Sequence, residues 1–323
     1  MAFCHRMIDL LGFAALPPLP AALAAVVSLA DARELAELTQ LLHNALSRLK
    51  AGSGPLLAPL LPLLLDRSGR LLPPWLLRCE QPPAANGHSP GGGAGRSGAP
   101  SLASEEAREL LELQRVLVGF CAALAACEPL LAALLAQQVG GQATLAAYLS
   151  MLFACAAGHA DVLVRKAALA ALTRVVHLAC PAAAAEAPAG PQAQQDGTAA
   201  AAAGAGTAAP DITSSPELRR MCVAQYGVEC CLAPLIRGDA QYDPKDANGA
   251  ALLGEVAAGH VLLAQRCGQA WLDALQASGL LVAMSAHFGP QAGGEFLRQV
   301  GAGDARAVRG SLRALLERVR QAS

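Results

Sequence analysis

Aromatic residues make up 3% of the 323 positions of this chain and charged residues 15%. A core without aromatics has to be filled by Leu, Ala and Val. That composition suits closely packed helices and argues against a β-sandwich or barrel. Alternating apolar and polar runs, the signature of half-buried strands, are missing as well. A net charge of −1 excludes a chain that is basic along its whole length, so contact with a polyanion has to come from a local stripe. The basic residues are nearly all Arg, with Lys only at Lys50, Lys166 and Lys245. Catalytic signatures are absent: there is no GxSxG elbow, no HExxH and no Walker-type loop. Gly91–Gly93 and Gly204-Ala-Gly206 lie in low-complexity stretches rather than after a strand. Ten Cys include no CxxC pair, which leaves no zinc spacing; they read as buried small hydrophobes in a reducing compartment. No catalytic, cofactor-binding or metal-binding residue is assigned, and the chain reads as a non-enzyme.

What is present is a tandem run of amphipathic helices broken by Pro and Gly. The clearest is His159–Cys180, HADVLVRKAALAALTRVVHLAC, with Asp161 placed to cap it and Val162, Leu169, Leu172 and Val176 on one face. Its V-R-x-A-A-x-x-A-L pattern has the shape of a HEAT-type helix, and Asp–Arg pairs in such helices can link successive repeats. Asp31 with Glu34 forms a capping-box-like pair ahead of Leu35, Leu38, Leu42, Leu46 and Leu49. Leu56–Leu65 continues as a Leu-rich helix in which Pro59 and Pro62 must start or kink the structure. Leu110, Leu113, Leu117, Phe120 and Leu124 repeat at helical spacing until Pro129. Further helices are expected over Ala2–Phe13, Ala21–Ala30, Leu130–Gln138, Thr144–Ala157, Glu217–Ala233, Lys245–Gln276, Gly279–Phe288, on to Val300, and Ala305–Gln321 behind Asp304. The expected fold is an all-α solenoid of HEAT-like antiparallel helix pairs. Helical blocks fall at 1–80, 104–180 and 214–323, separated by disordered inserts at 81–103 (Pro, Gly and Ser) and 181–213 (Ala, Gly and Gln).

A mean hydropathy of +0.38 raises the question of a membrane, with Gly12–Ala30 and Val116–Ala136 nearly long enough to span one. Prolines interrupt both, and much of the hydropathy is Ala, so no membrane insertion is expected. His260, in line with Leu252, Val256 and Leu263, reads as a packed core residue. One charged pattern is organised. Arg306, Arg309, Arg313 and Arg320 fall within a narrow arc of the last helix, beside the apolar face of Val308, Leu312, Leu315, Leu316 and Val319. Arg165–Lys166 and Arg219–Arg220 are further basic pairs.

Several blocks, taken in order, resemble the C-terminal part of the exportin-T family, the tRNA exportins of the importin-β (karyopherin) superfamily. They are CHRMIDLLGFAALPPLPAALAAVV (Cys4–Val27), ELAELTQLLHNALSRLKAGSGPLLAPLLPLLL (Glu34–Leu65), ARELLELQRVLVGFCAAL (Ala107–Leu124), YGVECCLAPLIRGDAQYDPKDANGAALLGEV (Tyr226–Val256) and EFLRQVGAGDARAVRGSLRALLERVRQ (Glu295–Gln321). The resemblance implies a cargo-holding superhelix that binds tRNA together with Ran-GTP, meets nuclear pore proteins and shuttles between nucleus and cytoplasm. In that family the Ran-binding region lies in the N-terminal repeats, and the blocks matched here are C-terminal, so the chain reads as a C-terminal piece or a short form. The expected RNA contacts are Arg306, Arg309, Arg313, Arg320, Arg165, Lys166, Arg219 and Arg220. The alternative is a HEAT-like protein–protein scaffold, or another karyopherin with protein cargo.

Overall fold

The computed structural model describes residues 19–72, 105–180, 216–239 and 241–322, together with Arg6 and Leu10. Both expected inserts, 81–103 and 181–213, lie outside the described residues, as does all but Arg6 and Leu10 of the expected helix Ala2–Phe13. Among the described residues no strand occurs. The chain is an all-α solenoid.

The helices are α1 (Leu19–Leu29), α2 (Ala32–Leu49), α3 (Gly54–Leu71), α4 (Glu105–Ala126), α5 (Glu128–Leu135), α6 (Gly141–Gly158) and α7 (Val162–Ala179). After them come α8 (Pro216–Met221), a π-helical segment (Cys222–Leu232) and α9 (Ala233–Ile236). The last five are α10 (Ala247–Cys267), α11 (Gln269–Ala277), α12 (Leu280–Phe288), α13 (Ala292–Gly301) and α14 (Ala305–Ala322). They stack in two layers. Helices α2, α4, α7, α10 and α14 pack side by side in one; α1, α3, α6, the π-helical segment and α11–α13 form the other. Neighbours in the first layer touch along far more of their length than those in the second. The more closely packed layer, α2, α4, α7, α10 and α14, is termed the inner wall. One hydrophobic core runs between the layers from Leu19 to Leu316 through all the helical blocks.

The caps follow the sequence. Asp31 Oδ1 accepts from the Glu34 amide at 2.9 Å, and the Glu34 carboxylate accepts from the Asp31 amide, completing a capping box at α2. Asp161 accepts from the Leu163 amide at α7, and Asp304 from the Ala307 amide at α14. The expected apolar positions are buried at Leu35, Leu38, Leu42 and Leu46 on α2, where Leu49 is half-buried at the end of the face, and at Leu110, Leu113, Leu117, Phe120 and Leu124 on α4.

Three boundaries differ from expectation. Pro59 and Pro62 neither start nor stop α3, which runs unbroken from Gly54 to Leu71. With Pro55 they share one helix face, on which Pro55 and Pro59 are exposed, so the carbonyls they leave unpaired can turn to water. The opposite face, Leu56, Leu57, Leu60, Leu61, Leu64 and Leu65, is buried and holds the helix together, at about 1.5–3 kcal/mol for each side chain. The long helix expected over Lys245–Gln276 begins at Ala247, with Asp246 as its cap, and breaks at Gly268, whose φ of 55° lies in the left-handed region. The helix expected over Glu217–Ala233 widens into a π-helix from Cys222 to Leu232. There Gly227 meets the Trp271 ring so closely that a Cβ would clash with it, while the Tyr226 hydroxyl lies 2.8 Å from Thr173 Oγ1 on α7.

Among the described residues two helices, α6 and α10, are long and apolar enough to cross a membrane by length and composition, with half of each buried inside the protein. Val116–Ala136, singled out in the sequence, is split between α4 and α5, which meet at a 97° bend. The apolar faces of α6 and α10 are spent on their neighbours, α7 for both and α14 for α10.

His260 lies in the core as expected, stacked on Trp271 with ring centroids 5.4 Å apart and edge-on to Phe296 at 5.9 Å. Neither ring nitrogen has a hydrogen-bond partner, and burial pushes the imidazole down to about 3. An unfolded chain takes up a proton there near pH 6.5 that the folded chain refuses. The contribution of His260 is therefore whole above about pH 6.5 and drains away as pH falls toward 3. In denaturant unfolding, His260→Leu should reduce the stability lost between pH 7 and 5 by up to about 2 kcal/mol. Gly227→Ala should cost about 1–3 kcal/mol at neutral pH, read as a lowered thermal midpoint, because the Trp271 ring has to move.

Candidate nucleic-acid interface

Helix α14 is amphipathic. Val308, Leu312, Leu315 and Leu316 are buried on the side that meets α10 and α13. Separations of three, four and seven residues bring Arg306, Arg309, Arg313 and Arg320 to an adjacent side, as the sequence implies. Arg306, Arg309 and Arg313 are exposed. Arg309 lies over α10, with its Cδ and Nη1 both 3.9 Å from where a Cβ on Gly254 would stand. Arg313 Nε pairs with Glu317 Oε1 at 3.0 Å, an exposed i,i+4 contact worth a few tenths of a kcal/mol. Arg320 Nη1 reaches Asp243 Oδ1 at 3.0 Å and so ties α14 to the loop before α10.

On the other flank of α10 lies a feature the sequence reading passed over. An open groove of about 530 Å³ runs between α7 and α10, with a floor that includes Ala125, Ala126, Ala170 and Leu262 and with Arg174 and His177 on its wall. Arg266 Nη2 donates to His177 Nδ1 at 3.0 Å at the groove's end. Glu128 and Glu255 also line it. The signal was there: Lys166, Arg174 and His177 return to one face of α7 at helical spacing. The strip of α10 between the groove and the α14 arginines is small, with Ala251, Gly254 and Ala258 half-buried at the surface.

The other candidates are placed differently. Lys166 is half-buried on α7, and on α8 Arg219 is half-buried and Arg220 exposed. Arg165 faces inward with no solvent exposure. Its Nε donates to Ala156 O at 2.9 Å and its Nη2 to Ala157 O at 2.9 Å. Its Nη1 meets Asp239 Oδ2 at 2.6 Å and Gln241 Oε1 at 3.0 Å. The guanidinium carbon also sits 4.8 Å from the centroid of the Tyr242 ring. That side chain cannot reach a ligand outside, which corrects its place among the RNA contacts. The basic dipeptide at 165–166 looked like a surface pair, but the first member points between repeats and only the second toward solvent.

Charge is segregated along the inner wall. Between α2 and α4 a smaller groove is lined by Arg33, Glu37, Gln40, Glu109 and Glu112. At that end Arg115 bridges Glu112 at 3.1 Å and Asp161 at 2.9 Å. Burial works against the charged form of Asp161, but the Arg115 guanidinium and the Leu163 amide outweigh it and hold the carboxyl below its ordinary value. His159 is neutral there: its Nδ1 accepts from the Asp161 amide at 2.9 Å, leaving Nε2 to donate to Gln114 Oε1 at 2.8 Å. Carboxylates thus prevail at the α2–α4 end, and Arg and His at the α7–α10–α14 end.

Over 322 residues, 99% of its length, the chain is 22% identical to exportin-T of Arabidopsis thaliana. It matches a region of exportin-T. The chain spans about a quarter of that relative, 27% of its length. No protein-family model matches the chain. No solved structure matches it. The likeness to exportin-T covers the acidic and the basic ends of the inner wall alike, since the aligned stretch takes in nearly every residue.

Removing the Arg165 side chain leaves the Asp239 carboxylate without its partner and two helix-end carbonyls without donors. Arg165→Ala should therefore cost about 3 kcal/mol or more in denaturant unfolding. Arg306→Ala, on an exposed surface, should change stability by less than about 0.5 kcal/mol.

Proposed function

We propose that this chain is the cargo-holding part of an exportin-T-like nuclear export receptor and that its cargo is tRNA. The observation that carries the reading is the likeness of 99% of the chain to a region of exportin-T. The basic end of the inner wall supports it. Arg306, Arg309 and Arg313 stand on one flank of α10 and Arg174, His177 and Arg266 on the other, about one helix width apart across a strip of small residues. A phosphate backbone can approach closely over Ala and Gly and meet guanidinium forks from both sides. Folded RNA is recognised largely through its shape and backbone, which such flanks suit. The acidic α2–α4 end repels a polyanion and so confines it to the other half. Arg219 and Arg220 lie on α8, outside these two flanks, and Lys166 lies two turns before Arg174 on the same α7 face; all three are secondary contacts in this reading. Ran-GTP and nuclear pore proteins are the further partners, with shuttling between nucleus and cytoplasm and no catalysis by this chain.

Affinity for folded tRNA, measured by anisotropy between 50 and 200 mM salt, should fall linearly on a log–log plot, with a slope of about 0.7–0.9 for each phosphate contacted. Reversing Arg306, Arg309 and Arg313 to Glu together should weaken binding about tenfold or more and flatten that slope. Affinity unchanged by the triple reversal would remove α14 from the interface. Absence of tRNA binding, with a protein partner held almost independently of salt, would favour the scaffold reading instead.

A further inference from the structure

The groove between α7 and α10 holds a charge that a phosphate-binding flank does not call for. Of its two carboxylates, Glu128 opens α5, where it answers the positive end of the helix. Glu255 has no such reason. It lies well inside α10, half-buried, with Ala251, Gly254 and Ala258 around it on the helix. Among the described residues neither Glu255 nor Arg174 on the facing helix is held in an ion pair.

A carboxylate at that place repels phosphates and lowers affinity for a polyanion unless it meets a hydrogen-bond donor. RNA carries donors on its ribose hydroxyls and on its bases, and the floor of the groove favours the bases. Ala125, Ala170 and Leu262 lie beneath a space of about 530 Å³, the size of a small-ligand site. An apolar floor of that kind suits the flat face of a base and does little for a hydrated phosphate or sugar. About three helical turns separate Glu255 from Arg266, roughly 16 Å along α10. Long side chains reaching inward from both positions reduce that distance to the span of a nucleotide, from phosphate to base edge.

We propose, on the reading of the cargo as RNA, that the α7–α10 groove seats one unpaired nucleotide of it, with the base on the apolar floor and Glu255 accepting a hydrogen bond from the exocyclic amino group of that base. The phosphate of the same nucleotide lies toward Arg174, His177 and Arg266. Unpaired nucleotides are the ones that can turn a base edge outward, since paired ones keep theirs engaged. Basic charge continues from the α14 arginines across the small-residue strip of α10 to the rim of the groove, so a backbone lying over the strip passes its mouth. Cytosine, adenine and guanine carry the amino donor. Uracil presents a carbonyl oxygen where cytosine presents the amino group, and would face Glu255 lone pair to lone pair. The groove thus selects by base, where the two flanks select by charge and shape.

The test uses anisotropy at neutral pH with the whole chain and three probes: folded tRNA, and labelled oligocytidylate and oligouridylate of equal length. The two oligonucleotides carry the same phosphates and differ at the hydrogen-bonding edge of the base. Oligocytidylate should bind about tenfold more tightly than oligouridylate. Glu255→Gln keeps the shape and removes the charge, and its amide can donate as well as accept. It should bring the two affinities together, weakening oligocytidylate and strengthening oligouridylate. A carboxylate that only repels predicts the opposite for oligocytidylate, so Glu255→Gln strengthening both probes by the same factor overturns the proposal. Folded tRNA bound while the two oligonucleotides bind equally, in reversed order or not at all overturns the nucleotide seat and leaves the RNA reading standing. Failure to bind any of the three probes overturns both.

Discussion

The guanidinium of Arg165 is the contact on which the array depends. It is charged, wholly enclosed, and satisfied from three directions by the closing carbonyls of α6, the loop before α10 and the face of Tyr242. A buried charge is tolerable only when its desolvation is repaid by good geometry on nearly every donor, and here four hydrogen bonds supply that. The consequence is positional: α6, α7 and the α10 loop are held in one relation, which fixes where the π-helical segment and α10 sit. The basic end of the inner wall inherits its shape from that relation.

The layers follow from composition. With so few aromatics, the interior is Leu, Ala, Val and Cys, and helices of the inner wall approach closely. Trp271, Tyr226, Tyr242 and Phe296 gather where the regular pattern gives way, around the π-helical segment, His260 and the Gly268 break. Trp271 needs Gly227 to be a glycine. The irregular helix and the bulky ring therefore accommodate each other. The inner wall that results carries small residues on α10 between Arg-bearing neighbours, and opposed charge at its two ends.

Much of this was legible. Caps at Asp31, Asp161 and Asp304 and the leucine faces of α2 and α4 are local signals that tertiary packing did not override. The break at Gly268 was not, because a lone Gly in a helical pattern is tolerated as often as it is terminal, and only the fold's demand for a positive φ decides. Pro59 and Pro62 misled for the opposite reason: their effect depends on whether the released carbonyls find water, which burial decides. The π-winding answers to Trp271, some forty residues away, and leaves no periodic trace. In the candidate interface the α14 arc was readable from spacing. The direction of Arg165 was not, since a basic dipeptide on a helix looks alike whether its first member faces water or the next repeat. The groove residues Arg174, His177 and Arg266 come together only once α7 and α10 are side by side.

Asp161 serves two neighbours with one carboxylate: Oδ1 takes the Leu163 amide in the first turn of α7, and Oδ2 takes the Arg115 guanidinium from α4. Helix initiation in one repeat and docking onto the previous one are thereby the same event. In a linear array such sharing raises the nearest-neighbour coupling relative to the stability of each unit, so that order spreads or retreats along the chain in long cooperative stretches rather than repeat by repeat. The shared carboxylate of Asp161 thus makes α4 and α7 one cooperative unit.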